Sequence, residues 1–363
     1  MEIKYPDQNR CLVNLACSVL KHFGIEPKNS TFEPMDKLLQ KDYQNIVVLL
    51  LDGMGINIMN EHLSPTGLFR RNLQCQMTSV FPPTTVAATT SLRTGLFPSQ
   101  TAWIGWSSYF KELDRNVVYF TGVDNDDNNV EIPGAAEKLY PYQDITKLIR
   151  NKGYKSYILA EFTGDTALGE IEGLCDKIEK LCEDDDKKYI YAYYKQPDED
   201  LHKLGTSSNW VGDLLRNIER TVLRLTKNIE NTLIIVTADH GHTDVENVWL
   251  KDYPDILDCL IRMPSVEPRA LNLFVKKDRI EEFPDIWNSH FKDDFLLFTR
   301  KQVLAKKLFG PGEYHPAFKG MLGDFLAVGI GNLCILNKGK AFRSHHAGLT
   351  KNEMMIPFIV IKT

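Results

Sequence analysis

The chain has 363 residues, 43% of them hydrophobic and 25% charged, which suits one large α/β domain or a core carrying an inserted subdomain. A net charge of −5 gives no signal for nucleic-acid binding. No stretch reaches the roughly 18 uninterrupted apolar residues of a membrane span, which excludes membrane-spanning function classes at this level.

The opening segment "MEIKYPDQNRCLVNLACSVLKHFG" lacks the basic start and apolar run of a signal peptide. Seven scattered cysteines (Cys11, Cys17, Cys75, Cys175, Cys182, Cys259, Cys334) form no CxxC pair. They fit a reducing cytoplasm better than a disulfide framework or a thiolate metal site. A cytoplasmic location is therefore expected. Residues 10–24 predict an amphipathic helix with Leu12, Leu15, Val19 and Leu20 on one face and Gly24 as its stop.

"NIVVLLLDGMG" comes next, a continuous apolar run ending in Asp52-Gly53, as expected of a strand buried on both faces of a parallel sheet. After it stands "TSVFPPTTVAATTSLRTG", from Thr78. Its alanines and closing Gly95 predict a short helix beginning at Thr84 or Thr85. The first turn of a helix offers unpaired N–H groups and a positive dipole end, which favour a phosphate. A threonine there is a candidate nucleophile if a metal lowers the pKa of its hydroxyl; helix capping is the duller role, and either residue fits. Trp103, Trp106 and Tyr109 lie beyond the helix, candidates to stack on a base or line a pocket, with core packing as the alternative.

Three further buried-strand patterns are "YKSYILA" (Tyr154 to Ala160), "YIYAYY" (Tyr189 to Tyr194) and "TLIIVTA" (Thr232 to Ala238). The acidic "EDDDKK" before the second of them reads as a solvated loop. Helical patterns separate the strands, among them "VGDLLRNIERTVLRLTKNI", so a doubly wound, mostly parallel sheet flanked by helices is expected. From about Met263 to Lys340 the chain mixes short strands, helices, charges and aromatics, which predicts an inserted cap or lid subdomain. Residues 1–262 and 341–363 then form the α/β core. Arg269 and His315 are candidate substrate contacts in the cap. The final "MIPFIVIK" predicts one more strand.

The chemistry sits just past the strand ends. The first strand ends in Asp52, "YIYAYY" runs into "KQPDEDLHKLG" with Asp198 and His202, and "TLIIVTA" ends in "DHGHTD" with Asp239 and His240. Ligands of open α/β sheets bind beyond the carboxyl ends of the strands, so these five residues should converge. His242 is expected beside them, in a supporting role or in contact with substrate. Near the C-terminus "RSHHAGLTKNEMMIPF" offers His345 and His346 before a capping-type "TKNE", and the strand-end rule does not choose between them. Six carboxylate and imidazole ligands without a thiolate suit Zn²⁺, Mn²⁺ or Fe. They suit two ions roughly 3.5–4 Å apart, clamping the attacking and leaving oxygens of a phosphoryl displacement.

With these motifs assembled, the chain resembles the alkaline phosphatase superfamily, in its type I phosphodiesterase and nucleotide pyrophosphatase branch. "VVLLLDGMG", "FPPTTVAATTSLRTGLFPSQTAWIGW", "PDEDLHKLG", "VTADHGHTD" and "HHAGLTKNEMMIPF" occur in that family's order. The resemblance implies an alkaline-phosphatase-like fold. It places the nucleophile nine residues before the threonine of a Thr-Gly pair, here Thr94-Gly95, hence at Thr85. It implies that Asp52, Asp239 and His240 hold one ion, with Thr85 coordinating it, and that Asp198, His202 and a C-terminal histidine hold the other. The family's histidine followed by two small residues matches His346-Ala347-Gly348. The implied function is hydrolysis of phosphodiesters or nucleotide pyrophosphates through a phosphothreonine, with two divalent ions, Zn²⁺ first and Mn²⁺ or Fe next. A phosphomonoesterase or a phosphonoacetate-type C–P hydrolase is the alternative on the same core. A non-catalytic metal- or nucleotide-binding protein is the alternative of another class. The expected partner is a small phosphoester or nucleotide; the sequence indicates no oligomeric state.

Overall fold

The structure is a computed structural model describing residues 1–126, 130–160 and 170–363. The apolar runs form the central sheet: β1 (Asn45–Leu51), β2 (Leu73–Thr78), β3 (Lys155–Leu159), β4 (Lys188–Tyr194), β5 (Thr232–Thr237) and β6 (Met355–Lys362). Their order is β2-β6-β5-β1-β4-β3. β1 runs parallel to β4 and β5, and β3 parallel to β4, whereas β6 is antiparallel to both β5 and β2. Every residue of β1, β4 and β5 is buried, as continuous apolar runs require in a sheet covered on both faces. β2 is a strand the sequence pattern does not predict. It lies at the sheet edge and alternates in burial, so "LQCQMT" has no apolar run to announce it.

The helix Leu12–His22 stops at Gly24 (φ +69°) and packs on the helix Thr85–Thr94, where the Cys17 thiol donates to Gly95 O at 3.4 Å. That second helix is closed by Gly95 in the left-handed conformation (φ +69°). The long pattern before β5 is the helix Asn209–Asn228, with Val211, Leu215, Ile218, Val222 and Leu225 on its buried face. In the acidic loop, Asp184 bonds the buried Lys188 ammonium (2.6 Å) and Lys155 (3.1 Å), so its charge serves the end of the sheet.

A second six-stranded sheet is antiparallel between its paired strands. It runs in the order Phe295–Thr299, Phe325–Gly329, Ala270–Leu273, Ser265–Glu267, Ser107–Phe110 and Arg115–Val118. The segment expected as a cap thus supplies four strands, and the hairpin that succeeds the helix Thr85–Thr94 in the chain supplies the other two. Two cores pack against this sheet, one around Trp103, Tyr119 and Phe318, the other around Trp287, Phe283 and Phe325.

The two sheets are tied by one buried ion pair. Arg269 Nε donates to Glu353 Oε1 at 2.7 Å and one terminal nitrogen to Oε2 at 2.8 Å; the carbonyls of Leu333 and Gly331 take its remaining contacts. Neither side chain reaches solvent. Glu353 also accepts from Gly348 N (2.7 Å) and the Thr350 hydroxyl (2.6 Å), within the capping box that "TKNE" predicts. Arg269 is therefore a structural cation, and its expected contact with substrate is corrected: every face of the guanidinium is engaged away from the site. Removing one partner strands a buried charge, so Arg269→Met lowers unfolding stability by about 3–5 kcal/mol. Denaturant unfolding measures this, and an unchanged midpoint would show the pair to be dispensable.

Candidate metal centre and nucleophile

The carboxyl ends of β1, β4 and β5 bring the site together, as the strand-end rule requires. Asp52 and Gly53 follow β1, and Gly53 (φ +75°) is needed twice over: a Cβ there would lie 3.0 Å from Asp198 Cα and 3.2 Å from the His242 ring. Asp239 receives the amides of Gly53 and His240, both at 3.0 Å. At Gly241 a Cβ would meet Asn352 O at 2.1 Å, so "DHGH" can pass beneath the C-terminal segment only with glycine. Thr243–Asp244 pairs with Ser344–His345, which carries the C-terminal histidines to the same edge.

Two overlapping groups result: Asp52, Asp239 and His240, and Asp198, His240, His242 and His346, with ligand atoms of each group within 4.8 Å of one another. His240 Nε2 lies 3.3 Å from Asp52 and 3.5 Å from Asp239. Asp198 Oδ1 lies 2.6 Å from His242 Nε2, 3.4 Å from His202 Nε2 and 3.7 Å from His346 Nε2. The rings of His240 and His346 stack with centroids 3.7 Å apart, while His345 turns toward His202 and Phe342.

The protonation pattern of these groups fits divalent cations. Nδ1 of His202, His240 and His346 faces the carbonyls of Ser344 (2.9 Å), Gly241 (3.2 Å) and Pro83 (3.1 Å). A carbonyl only accepts, so each Nδ1 carries the proton and each Nε2 presents a lone pair to the aspartates. His242 behaves alike: its Nδ1 faces Ser344 Oγ, whose proton is already donated to Leu201 O. Lone pairs of His242 and Asp198 then meet at 2.6 Å, a contact a cation resolves. Asp52 Oδ1 and Asp239 Oδ2 are buried with no hydrogen-bond partner among the described residues. Burial, with Asp239 and Asp198 close by, pushes the Asp52 carboxyl well above the usual carboxylate range. Desolvation keeps His202, His242 and His346 neutral, the form that binds metal. All donors are oxygen or imidazole nitrogen, as Zn²⁺, Mn²⁺ or Fe require.

The two candidate threonines separate cleanly. Thr84 is the N-cap residue, and its hydroxyl donates to the buried Glu267 carboxylate. Thr85 is the first helical residue, with Oγ1 3.3 Å from Asp52 Oδ2 and 3.4 Å from His240 Nε2. A cavity of about 530 Å³ opens onto it, bordered by Trp106, Asp198, Glu267, His345 and His346. Trp106 is 46% exposed there, whereas Trp103 is buried, gives its indole N–H to Tyr140 O at 2.9 Å, and borders a second cavity on the other side of Thr85. Tyr109 does not reach either: it bonds Asp114 at 2.9 Å and lies under Arg262, 3.9 Å from its ring centre. That expected substrate contact is corrected, because the strand Ser107–Phe110 turns the side chain away. His242 is fully buried within the aspartate–histidine cluster rather than lining a cavity. His315 borders a separate cavity with Tyr140 and Glu112.

Two residues of the site had no motif to signal them. Tyr193 donates its hydroxyl to Asp52 Oδ2; the alternation of Tyr189, Tyr191 and Tyr193 along β4, which puts them on one face, is the signal that an apolar reading of "YIYAYY" hides. Glu267 accepts from both Thr84 and Trp106 N, and burial pushes its carboxyl up to about 8. It comes after Val266, a β-branched residue at φ +82° in the middle of the strand Ser265–Glu267, and only the folded chain shows this strained residue beside the site.

The fold is the α/β fold of solved nucleotide pyrophosphatase and phosphonoacetate hydrolase structures. The chain belongs to the type I phosphodiesterase / nucleotide pyrophosphatase family, whose profile matches residues 46–329. Murine ectonucleotide pyrophosphatase / phosphodiesterase 5 is similar over 88% of each chain at 17% identity, with a TM-score of 0.68. The human counterpart is similar over 88% of each chain at 16% identity, with a TM-score of 0.67. Phosphonoacetate hydrolase from Sinorhizobium meliloti 1021, solved with phosphonoacetate, is similar over 88% of this chain and 90% of its own at 14% identity, with a TM-score of 0.66. No curated protein matches the chain in sequence. Among the described residues no helix is long and apolar enough to cross a membrane, and all seven cysteines are free.

Proposed function

We propose that the protein is a two-metal phosphoric-ester hydrolase that cleaves phosphodiesters or nucleotide pyrophosphates through a phosphothreonine at Thr85. The observation that carries this reading is the position of Thr85 Oγ1, within 3.4 Å of both Asp52 and His240 and at the first turn of its helix. Asp52, Asp239 and His240 would hold one ion and Asp198, His202 and His346 the other, with the buried His242 Nε2 facing Asp198. When bound, the ions supply Lewis-acid stabilisation of the attacking and leaving oxygens. Thr85 Oγ bonds to phosphorus as the leaving-group oxygen departs, and water then releases the phosphoryl group from the threonine. First-turn amides without intrahelical partners face the developing charge on the non-bridging oxygens. Tyr193 holds Asp52 in place by its hydrogen bond. An inactive threonine-to-alanine variant of the murine relative, solved with AMP, supports both the nucleophile and a nucleotide-type substrate. The unpaired cysteines support a reducing, cytoplasmic setting.

The test is hydrolysis of bis-p-nitrophenyl phosphate against p-nitrophenyl phosphate and phosphonoacetate, with Zn²⁺, Mn²⁺ and Fe²⁺ in turn. The expected result is EDTA-sensitive turnover with the diester ahead by at least about tenfold in kcat/KM. Preference for phosphonoacetate would move the protein to C–P hydrolysis, and metal binding without turnover of any substrate would make it a binding protein.

A further inference from the structure

The second cavity bordering Thr85 measures about 340 Å³ and lies on the β4 side of the helix Thr85–Thr94. One helix face forms its floor: Thr85, Thr89 and Arg93, spaced i, i+4 and i+8, all border it. Trp103, Phe120 and Tyr142 wall it. Arg93 is held rigidly. Its Nε donates to Asp144 Oδ2 at 2.7 Å, and Asp144 is itself fixed as the cap of the helix Ile145–Asn151 by Thr146 N (2.8 Å) and Thr146 Oγ1 (2.6 Å). The Tyr142 ring lies 5.8 Å from the guanidinium carbon. Among the described residues the two terminal nitrogens of Arg93 take no hydrogen bond. A guanidinium anchored through Nε and open at its terminal edge matches the two oxygens of a carboxylate or phosphate.

Eight residues of helix rise separate Thr85 from Arg93, about 12 Å, and helical side chains lean back toward the N-terminus. The guanidinium therefore lies beyond a phosphoryl group on Thr85, within reach of an arm attached to it. We propose that this cavity is a subsite for a second anionic group, carboxylate or phosphate, carried by the substrate on a short arm from the phosphorus attacked by Thr85. The proposal rests on Thr85 as the phosphoryl acceptor. Glu137 borders the cavity from an exposed position on the helix Ala135–Leu139, and among the described residues that border it Arg93 is the only cation.

Three probes separate the possibilities in metal-loaded Thr85→Ala protein by calorimetry: propylphosphonate with a neutral arm, 3-phosphonopropionate with a carboxylate, and ethylenediphosphonate with a second phosphonate. At least one anionic arm is expected to bind about tenfold or more tightly than propylphosphonate, as a charged hydrogen-bonded pair implies. Whichever arm binds more tightly names the group. Arg93→Gln is expected to bring the affinities together, and Arg93→Lys to retain part of the preference. Equal affinities in the Arg93-containing protein, or a preference surviving Arg93→Gln, overturns the subsite. The first comparison needs no Arg93 variant, so it decides the matter even where a variant is unstable. Propylphosphonate reports the phosphoryl site alone: if it fails to bind, the hydrolase reading falls and the subsite with it, whereas equal binding of all three removes the subsite only.

Discussion

Thr85→Ala is expected to lower kcat for a phosphodiester by roughly 10³-fold or more, as loss of a covalent nucleophile does, while metal content and melting temperature stay at wild-type values. The two halves of this expectation have separate physical grounds. Thr85 Oγ1 makes only long contacts, 3.3 Å to Asp52 and 3.4 Å to His240, so its removal breaks no short hydrogen bond. The N-cap is Thr84, not Thr85, and alanine at the first helical position is a good helix former. Thr85→Ser keeps a hydroxyl at the same place and should retain a readily measurable share of the rate. Thr84→Ala instead frees the buried Glu267 carboxylate from a partner and should cost stability first. Near-normal turnover in Thr85→Ala, with Thr84→Ala the inactive variant, would transfer the nucleophile to the neighbouring hydroxyl.

The elements legible in the sequence were those whose function forces a one-dimensional pattern. β1, β4 and β5 are buried on both faces, so they read as apolar runs, and the residues after them had to meet at one sheet edge. The helix Thr85–Thr94 was bounded by its own cap and its closing glycine. Choosing between Thr84 and Thr85, or between His345 and His346, needed family spacing, because neighbouring residues share every local property until the fold turns one away. The rest of the site is tertiary. Arg93 belongs to it only because its helix lies along a cavity, and Glu267 only because the strand Ser265–Glu267 of the second sheet lies against Thr84. Arg269 shows the converse: an arginine near functional motifs reads as an anion contact, yet its partner Glu353 lies 84 residues away and closes it off. A lone charge in a sequence does not reveal whether it is already neutralised.

Chelation of the metal-loaded protein is expected to abolish hydrolysis and to lower the melting temperature by an amount that grows with pH. Ligand binding to the native state alone contributes RT ln(1 + [L]/Kd), about 4 kcal/mol at a thousandfold excess over Kd, which is several degrees for a chain of this size. The pH dependence has contributions from Asp52 and from the buried histidines of the site. Burial beside Asp239 and Asp198 raises the Asp52 carboxyl above its unfolded value, so at this group the metal-free native state holds a proton the unfolded chain has lost. The buried, neutral His202, His242 and His346 instead hold fewer protons than in the unfolded chain below about pH 6.5. The Asp52 contribution to stability therefore falls as pH rises from the unfolded pKa, about 3.9, toward the folded one, while the histidine contribution rises up to about pH 6.5. Metal binding has the opposite sign to the Asp52 contribution, because the ligands bind deprotonated and affinity grows with pH. The gap between the loaded and stripped forms should thus widen as pH rises from about 3.9 toward the raised Asp52 value in calorimetric scans. Asp52→Asn removes one of the crowded buried charges: the stripped variant should melt above the stripped wild type, gain little from added Zn²⁺ or Mn²⁺, and lose activity by roughly 10³-fold. A gap that narrows with pH, or an Asp52→Asn protein that still gains its full stability from metal, would mean that Asp52 faces the cation without holding it. The ligand set would then rest on the His240–His346 side of the cluster.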